Sequence, residues 1–237
     1  MAGLIYAALA ALGDVLGGLL IITPFPKNRR LLAALVAFGG GFMLSVAITE
    51  MIPAAFNLNG GLFAVLIGYL IVHLTQHMLT PHFHFGEETH SDEMVSRNIG
   101  VWALVGLVPH AVFDGVAISS GFLTSHALGI LIFGAVILHK VPEGVALARV
   151  MLASGNSARK ALIAVVIIAV ATVLGALITP VIPALANYGL ALAAGVTIYV
   201  AASNLIPESQ HERGWLIPGG VIFGVVAYYL ARMLLPV

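Results

Sequence analysis

No cysteine occurs in this sequence, which excludes disulfide bonds and metal sites built from thiolates. Charged residues are also scarce, since they make up 8% of the 237 residues, whereas soluble domains carry about a quarter. Positive and negative residues balance, so no charged surface indicates a nucleic-acid partner. A phosphate-binding motif for ATP is absent as well. The chain is 60% hydrophobic, and this composition predicts an integral membrane protein embedded in a lipid bilayer.

Eight apolar segments are long enough to cross a hydrocarbon core about 30 Å thick, which takes about 20 residues of helix. The first has no basic start and no evident cleavage site, so we expect a retained helix rather than a signal peptide. The sequence therefore predicts an all-α integral membrane protein with eight transmembrane helices, in which residues 1–237 form a single domain. The predicted spans are 2–22, 31–55, 60–79, 98–122, 127–152, 160–182, 188–207 and 215–235.

Lysine and arginine residues cluster in alternate loops between these spans. The odd-numbered loops contain them and the even-numbered loops contain none. Because positive residues mark the cytoplasmic face, we expect both termini outside and the one long polar loop, about residues 80–97, in the cytoplasm. The short remaining loops favour a prokaryotic cell (inner) membrane, with a eukaryotic organelle as the alternative.

Two stretches in the fourth and fifth spans repeat one another at an offset of 29 residues. They are His110-Ala-Val-Phe-Asp114-Gly-Val-Ala and His139-Lys140-Val-Pro-Glu143-Gly-Val-Ala. Each places a histidine and a carboxylate four residues apart, which puts both side chains on one face of a helix. An ionised group at bilayer depth costs roughly 2.5–3.5 kcal/mol. A duplicated arrangement of this cost indicates a function that the two helices share.

A weaker repeat relates the second span to the seventh. At an offset of 154 residues, Gly41 corresponds to Gly195, and Ile52-Pro53 corresponds to Ile206-Pro207. These spans run in opposite directions if all eight cross the membrane, and so do the fourth and fifth. The sequence therefore predicts a 3+2+3 inverted-repeat arrangement, in which three helices stand on each side of a central pair. Such folds place the substrate near the midplane of the bilayer.

Two imidazoles and two carboxylates form a ligand set that suits Zn²⁺ or another first-row divalent ion. His110, Asp114, His139 and Glu143 are therefore candidate metal ligands. The alternative is that they are buried polar residues that only hold two helices together. Lys140 follows His139 and therefore points about 100° away from it around the helix. Its ammonium either pairs with Asp114 or Glu143 or occupies the place of a second cation, and both interpretations predict one central metal.

Further polar residues lie toward the ends of the spans. Glu50, near the outer end of the second span, would attract cations by lowering the local potential. Asn204 is its counterpart in the repeat and Glu208 follows, so these three and Lys140 are candidates for lining the ion pathway or supporting the ligands. The long loop is either a weak metal-collecting segment or a solvated acidic linker. The candidate ligands in and before it are His73, His77, His82, His84 and His90.

The repeated stretches, taken from His110 to Ile118 and from Leu138 to Gly144, resemble the fourth- and fifth-helix signatures of the ZIP (Zrt-, Irt-like protein) metal transporters. The resemblance implies uptake of Zn²⁺ toward the cytoplasm, with Fe²⁺, Mn²⁺ or Cd²⁺ as alternatives, and often a homodimer. It also implies that the four candidate ligands are the primary metal ligands. Many members have Asn and a carboxylate where this chain has Ala111 and Lys140, so the resemblance does not support a second central metal.

Two other functions remain alternatives. An intramembrane metal-dependent hydrolase would use the same ligands to activate a water molecule, but it would need an open coordination position and a lateral route for its substrate. A passive channel would let the ion through without a saturable step. The duplicated motif and the charged residues near both faces favour a transporter rather than an enzyme, with the metal as cargo and no catalytic cofactor.

Overall fold

All regular structure in the described part of the chain is helical. A computed structural model describes residues 1–22, 29–78, 97–210 and 214–235. Eight helices follow one another in these ranges. They are α1 (Ala2–Ile22), α2 (Arg29–Val46), α3 (Gly61–Met78), α4 (Arg97–Thr124), α5 (His126–Ala153), α6 (Ala158–Ile178), α7 (Pro183–Tyr199) and α8 (Leu216–Leu234).

Helices α2 and α7 each continue through a π-helical segment and end in a short α-helical turn. Ala47–Met51 is the π-helical segment of α2 and Val200–Leu205 is that of α7. The offset of 154 residues seen in the sequence maps the first segment into the second. A proline stands two residues after each, at Pro53 and Pro207, and its missing N–H removes one regular backbone hydrogen bond there.

The all-α, multi-pass membrane fold predicted from the sequence is confirmed. Seven of the eight helices are long and apolar enough to cross a membrane, and α3 contributes a shorter apolar segment, Gly61–Gln76. The largest differences from the predicted boundaries lie between α6 and α7, where α6 already ends at Ile178 and α7 already begins at Pro183. Proline is favoured at the first position of a helix, since its φ is fixed near the helical value and its missing N–H would have no partner there anyway.

Four helices, α1, α4, α5 and α6, all contact one another and form a central bundle. Within it, α1 packs most extensively on α5, and α4 on α6. Two further pairs, α2 with α8 and α3 with α7, pack around this bundle, with α2 against α5 and α7 against α4. The pair α4 and α5, which carries the repeated motif, therefore lies within the bundle.

Glycines bring each of the four helix pairs into main-chain contact. Every pair has two such contacts, and a Cβ on any of these glycines would lie 1.8–2.2 Å from a carbonyl oxygen of the partner helix. Small residues permit this close approach in membranes. The contacts are Gly17–Val141 and Gly144–Asp14 (α1–α5), Gly115–Thr172 and Gly175–Val112 (α4–α6), Gly41–Val221 and Gly224–Phe38 (α2–α8), and Gly195–Val65 and Gly68–Leu192 (α3–α7).

The contacts of the two central pairs correspond to one another. The offset of 29 residues takes Gly115 on α4 to Gly144 on α5, and each faces a carbonyl oxygen of its own partner helix, at Thr172 and Asp14. This correspondence is what an internal repeat would produce. The full 3+2+3 inverted-repeat arrangement stays a prediction.

Candidate metal centre

The four candidate ligands lie together between α4 and α5. His110, Asp114, His139 and Glu143 are each at most 3% exposed. One ligand atom from each lies within 4.8 Å of the other three, and this is the one group of its kind in the described ranges. The spacing of four residues along each helix, together with the contact between α4 and α5, brings the two halves of the group face to face.

The distances within the group are close to those of a tetrahedral metal site. His139 Nε2 lies 3.3 Å and His110 Nε2 lies 3.4 Å from Oδ2 of Asp114. The same two nitrogens lie 3.9 and 3.8 Å from Oε2 of Glu143. Zinc bonds of about 2.0–2.2 Å place the ligand atoms of a tetrahedral site roughly 3.3 Å apart. A small contraction toward a central ion would therefore satisfy this geometry.

The histidine rings turn their Nε2 atoms toward the carboxylates of the group. Nδ1 of His139 lies 3.2 Å from the carbonyl oxygen of Ala135. A proton on Nδ1 donates to that carbonyl and leaves the lone pair of Nε2 directed at the carboxylates, which is the usual support for a metal-binding histidine. Among the described residues, neither ring nitrogen of His110 has a hydrogen-bond partner.

Lys140 lies against the same carboxylates and is completely buried. Its Nζ is 2.7 Å from Oε2 of Glu143 and 2.9 Å from Oδ2 of Asp114. This corresponds to the pairing that the sequence left as one of two alternatives. The oxygens that face the histidine nitrogens are thus also those that contact the ammonium.

Asp14 of α1 completes the charged cluster, and the sequence assigned it no role. It is fully buried, and its Oδ2 lies 3.4 Å from Nζ of Lys140. The available signal was an acidic residue in the middle of an apolar span, which is costly without a partner. The partner could not be inferred, because it stands on α5 and α1 could have packed on any other helix.

Comparison with known proteins identifies the family of the chain. Residues 86–227, more than half of the chain, match the family described as ZIP Zinc transporter. This chain belongs to the ZIP family. The family is one of transporters, in line with the expectation from the sequence.

Relatives of this ZIP chain carry names of the same kind. The protein named zinc transporter YKE4, from Saccharomyces cerevisiae (strain ATCC 204508 / S288c), is 23% identical over 81% of this chain and 66% of its own length. Zinc transporter ZIP9 of Micropogonias undulatus is 30% identical over 61% of this chain and 50% of its own. Zinc transporter ZIP9 of Xenopus tropicalis is 28% identical over 61% and 51%. The ZIP chain thus spans between half and about two thirds of the length of these relatives.

Glu50 of the ZIP chain lies in the π-helical segment of α2 and pairs with α8. Its Oε1 accepts a hydrogen bond of 2.5 Å from the hydroxyl of Tyr228 and lies 2.5 Å from Nε of Arg232. The Tyr228 hydroxyl also contacts that of Thr49. Glu50 is 9% exposed, whereas the Arg232 side chain is 46% exposed. The carboxylate is therefore already matched with a cation at the end of α8.

The remaining candidates lie apart from the central group. Nδ2 of Asn204 donates to Oε1 of Gln76, 3.0 Å away, and this joins α7 to α3. The ring of His73 stacks on Tyr69 and meets Tyr199 edge to face. Within the described ranges, no ion pair or hydrogen bond joins Glu50 or Asn204 to the four ligands. The side chains of His77 and Glu208, and the residues His82, His84 and His90, lie outside the described part of the chain.

Proposed function

We propose that this ZIP family member transports divalent metal ions through the membrane, with Zn²⁺ as its main cargo and the cytoplasm as the destination. The observation that carries the proposal is the buried group of His110, Asp114, His139 and Glu143 on two adjacent helices of a membrane-embedded bundle. The names of the relatives, all zinc transporters, support the choice of ion.

The ligand set suits this cargo. A divalent ion that leaves water for the bundle interior needs ligands that replace its hydration and offset its charge. The carboxylates of Asp114 and Glu143 supply two negative charges, and the imidazoles favour borderline ions such as Zn²⁺ over Mg²⁺ or Ca²⁺. Without thiolates the site can also release the ion. Fe²⁺, Mn²⁺ and Cd²⁺ fit the same ligands and are the alternative cargoes.

Transport toward the cytoplasm is energetically accessible without ATP. A membrane potential contributes about 2.3 kcal/mol per charge per 100 mV, hence roughly twice that for a divalent ion moving toward a negative interior. In our proposal Glu50 and its neighbours meet the ion at the outer side, and the histidines of the loop at about 80–97 collect it inside. Movement of the central bundle against the α2–α8 and α3–α7 pairs would alternate access to the site.

We extend the proposal to the setting of the protein. It resides in a cell (inner) membrane with both termini outside, and it forms a homodimer. The apolar faces that α1, α3, α6 and α8 leave exposed meet the lipid bilayer or the second copy.

Uptake of ⁶⁵Zn²⁺ by proteoliposomes tests the function and the site. Asp114→Asn and Glu143→Gln keep the size of each side chain but remove its charge, and each is expected to reduce saturable uptake at least tenfold, because the ion loses a charged ligand at bilayer depth. Ser119→Ala, on α4 but outside the group, is the matched control and is expected to transport normally. Normal uptake by both charge variants would remove the central site from the mechanism.

The same assay separates the rival functions. If the protein were a hydrolase, sealed vesicles that contain it would accumulate no ⁶⁵Zn²⁺. A channel would show flux that does not saturate at micromolar metal, whereas a transporter that binds its cargo at each cycle saturates.

A further inference from the structure

The central site contains more charge than its four candidate ligands account for. Nζ of Lys140 lies 2.7, 2.9 and 3.4 Å from carboxylate oxygens of Glu143, Asp114 and Asp14, which belong to three different helices. The side chains of Lys140 and of these three carboxylates are at most 4% exposed. In their ionised forms the three carboxylates and one ammonium sum to a charge of −2, which one divalent cation would neutralise.

The ammonium and an incoming metal ion would compete for the same atoms. Oδ2 of Asp114 and Oε2 of Glu143 are the oxygens nearest both to the histidine Nε2 atoms and to Lys140 Nζ. Two cations at bonding distance from the same oxygens repel each other strongly in a medium of low dielectric constant. Lys140 must therefore withdraw from at least one of these oxygens when a metal binds.

Asp14 offers a position to which the Lys140 ammonium can withdraw. Its Oδ2 is already within 3.4 Å of the ammonium, and its Oδ1 has no hydrogen-bond partner among the described residues. A shift of about half an ångström would bring the ammonium to the 2.7–2.9 Å that is typical of a charge-assisted hydrogen bond. The flexible four-carbon stem of lysine allows such a shift without movement of the helix.

The other half of the central bundle makes an equally close helix contact without a charge pair. Gly144 faces the carbonyl oxygen of Asp14, and Gly115 faces that of Thr172 in the same way. Where α5 carries Lys140, the offset of 29 residues places Ala111 on α4. The two helix contacts are thus equally close, although one carries an ion pair and the other carries an alanine and a threonine.

We propose that Asp14 is a positioning residue of the metal site, which takes up Lys140 when a divalent cation binds to Asp114 and Glu143. The inference rests on the proposed function and adds a residue of α1 to it. Asp14 sets the charge available to the cargo at −2 and holds the ammonium away from the ligand oxygens while the metal is bound. A neutral residue in its place leaves Lys140 on Asp114 and Glu143, where it excludes the metal.

Zn²⁺ affinity of the purified protein, measured by competition with a fluorescent chelator, tests this role. Asp14→Thr introduces the residue found at the equivalent place on α6, and it is expected to raise the Kd for Zn²⁺ at least about tenfold, as loss of a group that supports metal ligands does. The double variant Asp14→Thr with Lys140→Ala restores a charge of −2 and is expected to return the Kd to within about threefold of the wild type. Thr172→Val is the control in the other half and is expected to leave the Kd unchanged.

Proteoliposome kinetics provide a second readout that a merely structural role would not move. Asp14→Thr is expected to raise the KM for Zn²⁺ more than it lowers the maximal rate, and the double variant is expected to recover the KM. A Kd for Asp14→Thr within twofold of the wild type overturns the inference. A loss of affinity that the double variant does not recover also overturns it, since Asp14 would then act on folding. If Asp14→Thr does not fold, Asp14→Asn is read by the same criteria.

The experiments distinguish failure of the role proposed for Asp14 from failure of the proposed function. If the wild type binds no Zn²⁺, or if Asp114→Asn and Glu143→Gln bind it as tightly as the wild type, the central site itself is refuted and the inference falls with it. If those two variants lose binding while Asp14→Thr keeps it, the metal site stands and the role of Asp14 alone is refuted.

Discussion

His139 has a close contact at each nitrogen of its ring. Nδ1 meets the carbonyl oxygen of Ala135 one turn earlier in α5, and Nε2 points across to Asp114 on α4. With the ring proton on Nδ1, the first contact is a hydrogen bond that orients the ring, and Nε2 then faces Asp114 across the helix interface with its lone pair. A metal ion in the group would therefore meet a ligand whose orientation is already set, so little ordering would remain to be done on binding.

Replacing His139 should weaken Zn²⁺ binding, whereas replacing a histidine elsewhere on α5 should not. His139→Ala is expected to raise the Kd for Zn²⁺ at least about tenfold, because the loss of a ligand costs no less than the 10- to 100-fold effect of a group that merely supports one. His126→Ala is the matched control, since His126 is an exposed histidine at the start of the same helix. Equal affinities for the two variants in the chelator competition assay would contradict a ligand role for His139.

At the scale of single residues, the sequence predicted that the four candidate ligands lie together, but it did not predict the partners of the other buried charged residues. The spacing of four residues in two related stretches was enough to group His110, Asp114, His139 and Glu143. The partner of Asp14 was not predictable, because it lies on a helix that is distant in sequence. The pairing of Glu50 with Tyr228 and Arg232 was missed for the same reason, since it depends on α2 packing against α8. Its place on an ion pathway stays a prediction.

The helices are joined in pairs by glycine-to-carbonyl contacts, and these contacts leave no room for a side chain. A Cβ at Gly68 of α3 would lie 1.9 Å from the carbonyl oxygen of Leu192 on α7. In contrast, a Cβ at Gly219 of α8 would have no atom within 4 Å apart from its chain neighbours and the nearby backbone of α8 itself. Both glycines lie in apolar helices, but Gly68 is packed against a neighbouring helix and Gly219 is not.

We expect Gly68→Ala to lower the free energy of unfolding by about 1–3 kcal/mol, because the helices must separate to accommodate the methyl group. Gly219→Ala should be neutral or stabilising by up to about 1 kcal/mol, since alanine restricts the unfolded chain more than glycine does. Unfolding of the two variants in detergent micelles, followed by circular dichroism, measures both values. Equal stabilities would show that the close approach of α3 and α7 is not retained in the membrane-extracted protein.

Element boundaries were predictable to the extent that composition determines them. Apolar segments of about 20 residues identified the helices, because only a helix satisfies its backbone hydrogen bonds within lipid. The π-helical segments Ala47–Met51 and Val200–Leu205 were not predicted, since their residues are as compatible with an α-helix. The early start of α7 at Pro183 was missed because apolar residues continue from α6 into α7, so composition does not mark the boundary.

For the whole molecule, the sequence determines how often the chain crosses the membrane more directly than how the helices pack. Hydropathy follows from each segment alone, whereas the pairing of α1 with α5 and of α4 with α6 depends on contacts between helices that are far apart in the chain. The orientation in the membrane is a further property of the whole molecule. It rests on the alternation of lysine and arginine between loops and stays a prediction.

The lack of native cysteine makes this orientation measurable. Asn59→Cys, between α2 and α3, and Ser91→Cys, in the long loop, each introduce a single thiol. In intact cells, a membrane-impermeant maleimide is expected to label Asn59→Cys but not Ser91→Cys, and after permeabilisation it should label both. The reverse pattern in intact cells would place the termini and the long loop on the opposite sides from those we propose.

Each helix pair touches main chain to main chain at two separate points, as Gly17 and Gly144 do for α1 and α5. Two contacts along one axis prevent the helices from pivoting about either of them, because main chain meets main chain at both points. The smallest unit that can move as a rigid body in this protein is therefore a pair of helices. Changes of shape must take place at the boundaries between pairs, and the boundary between α4 and α5 is the one that crosses the metal site.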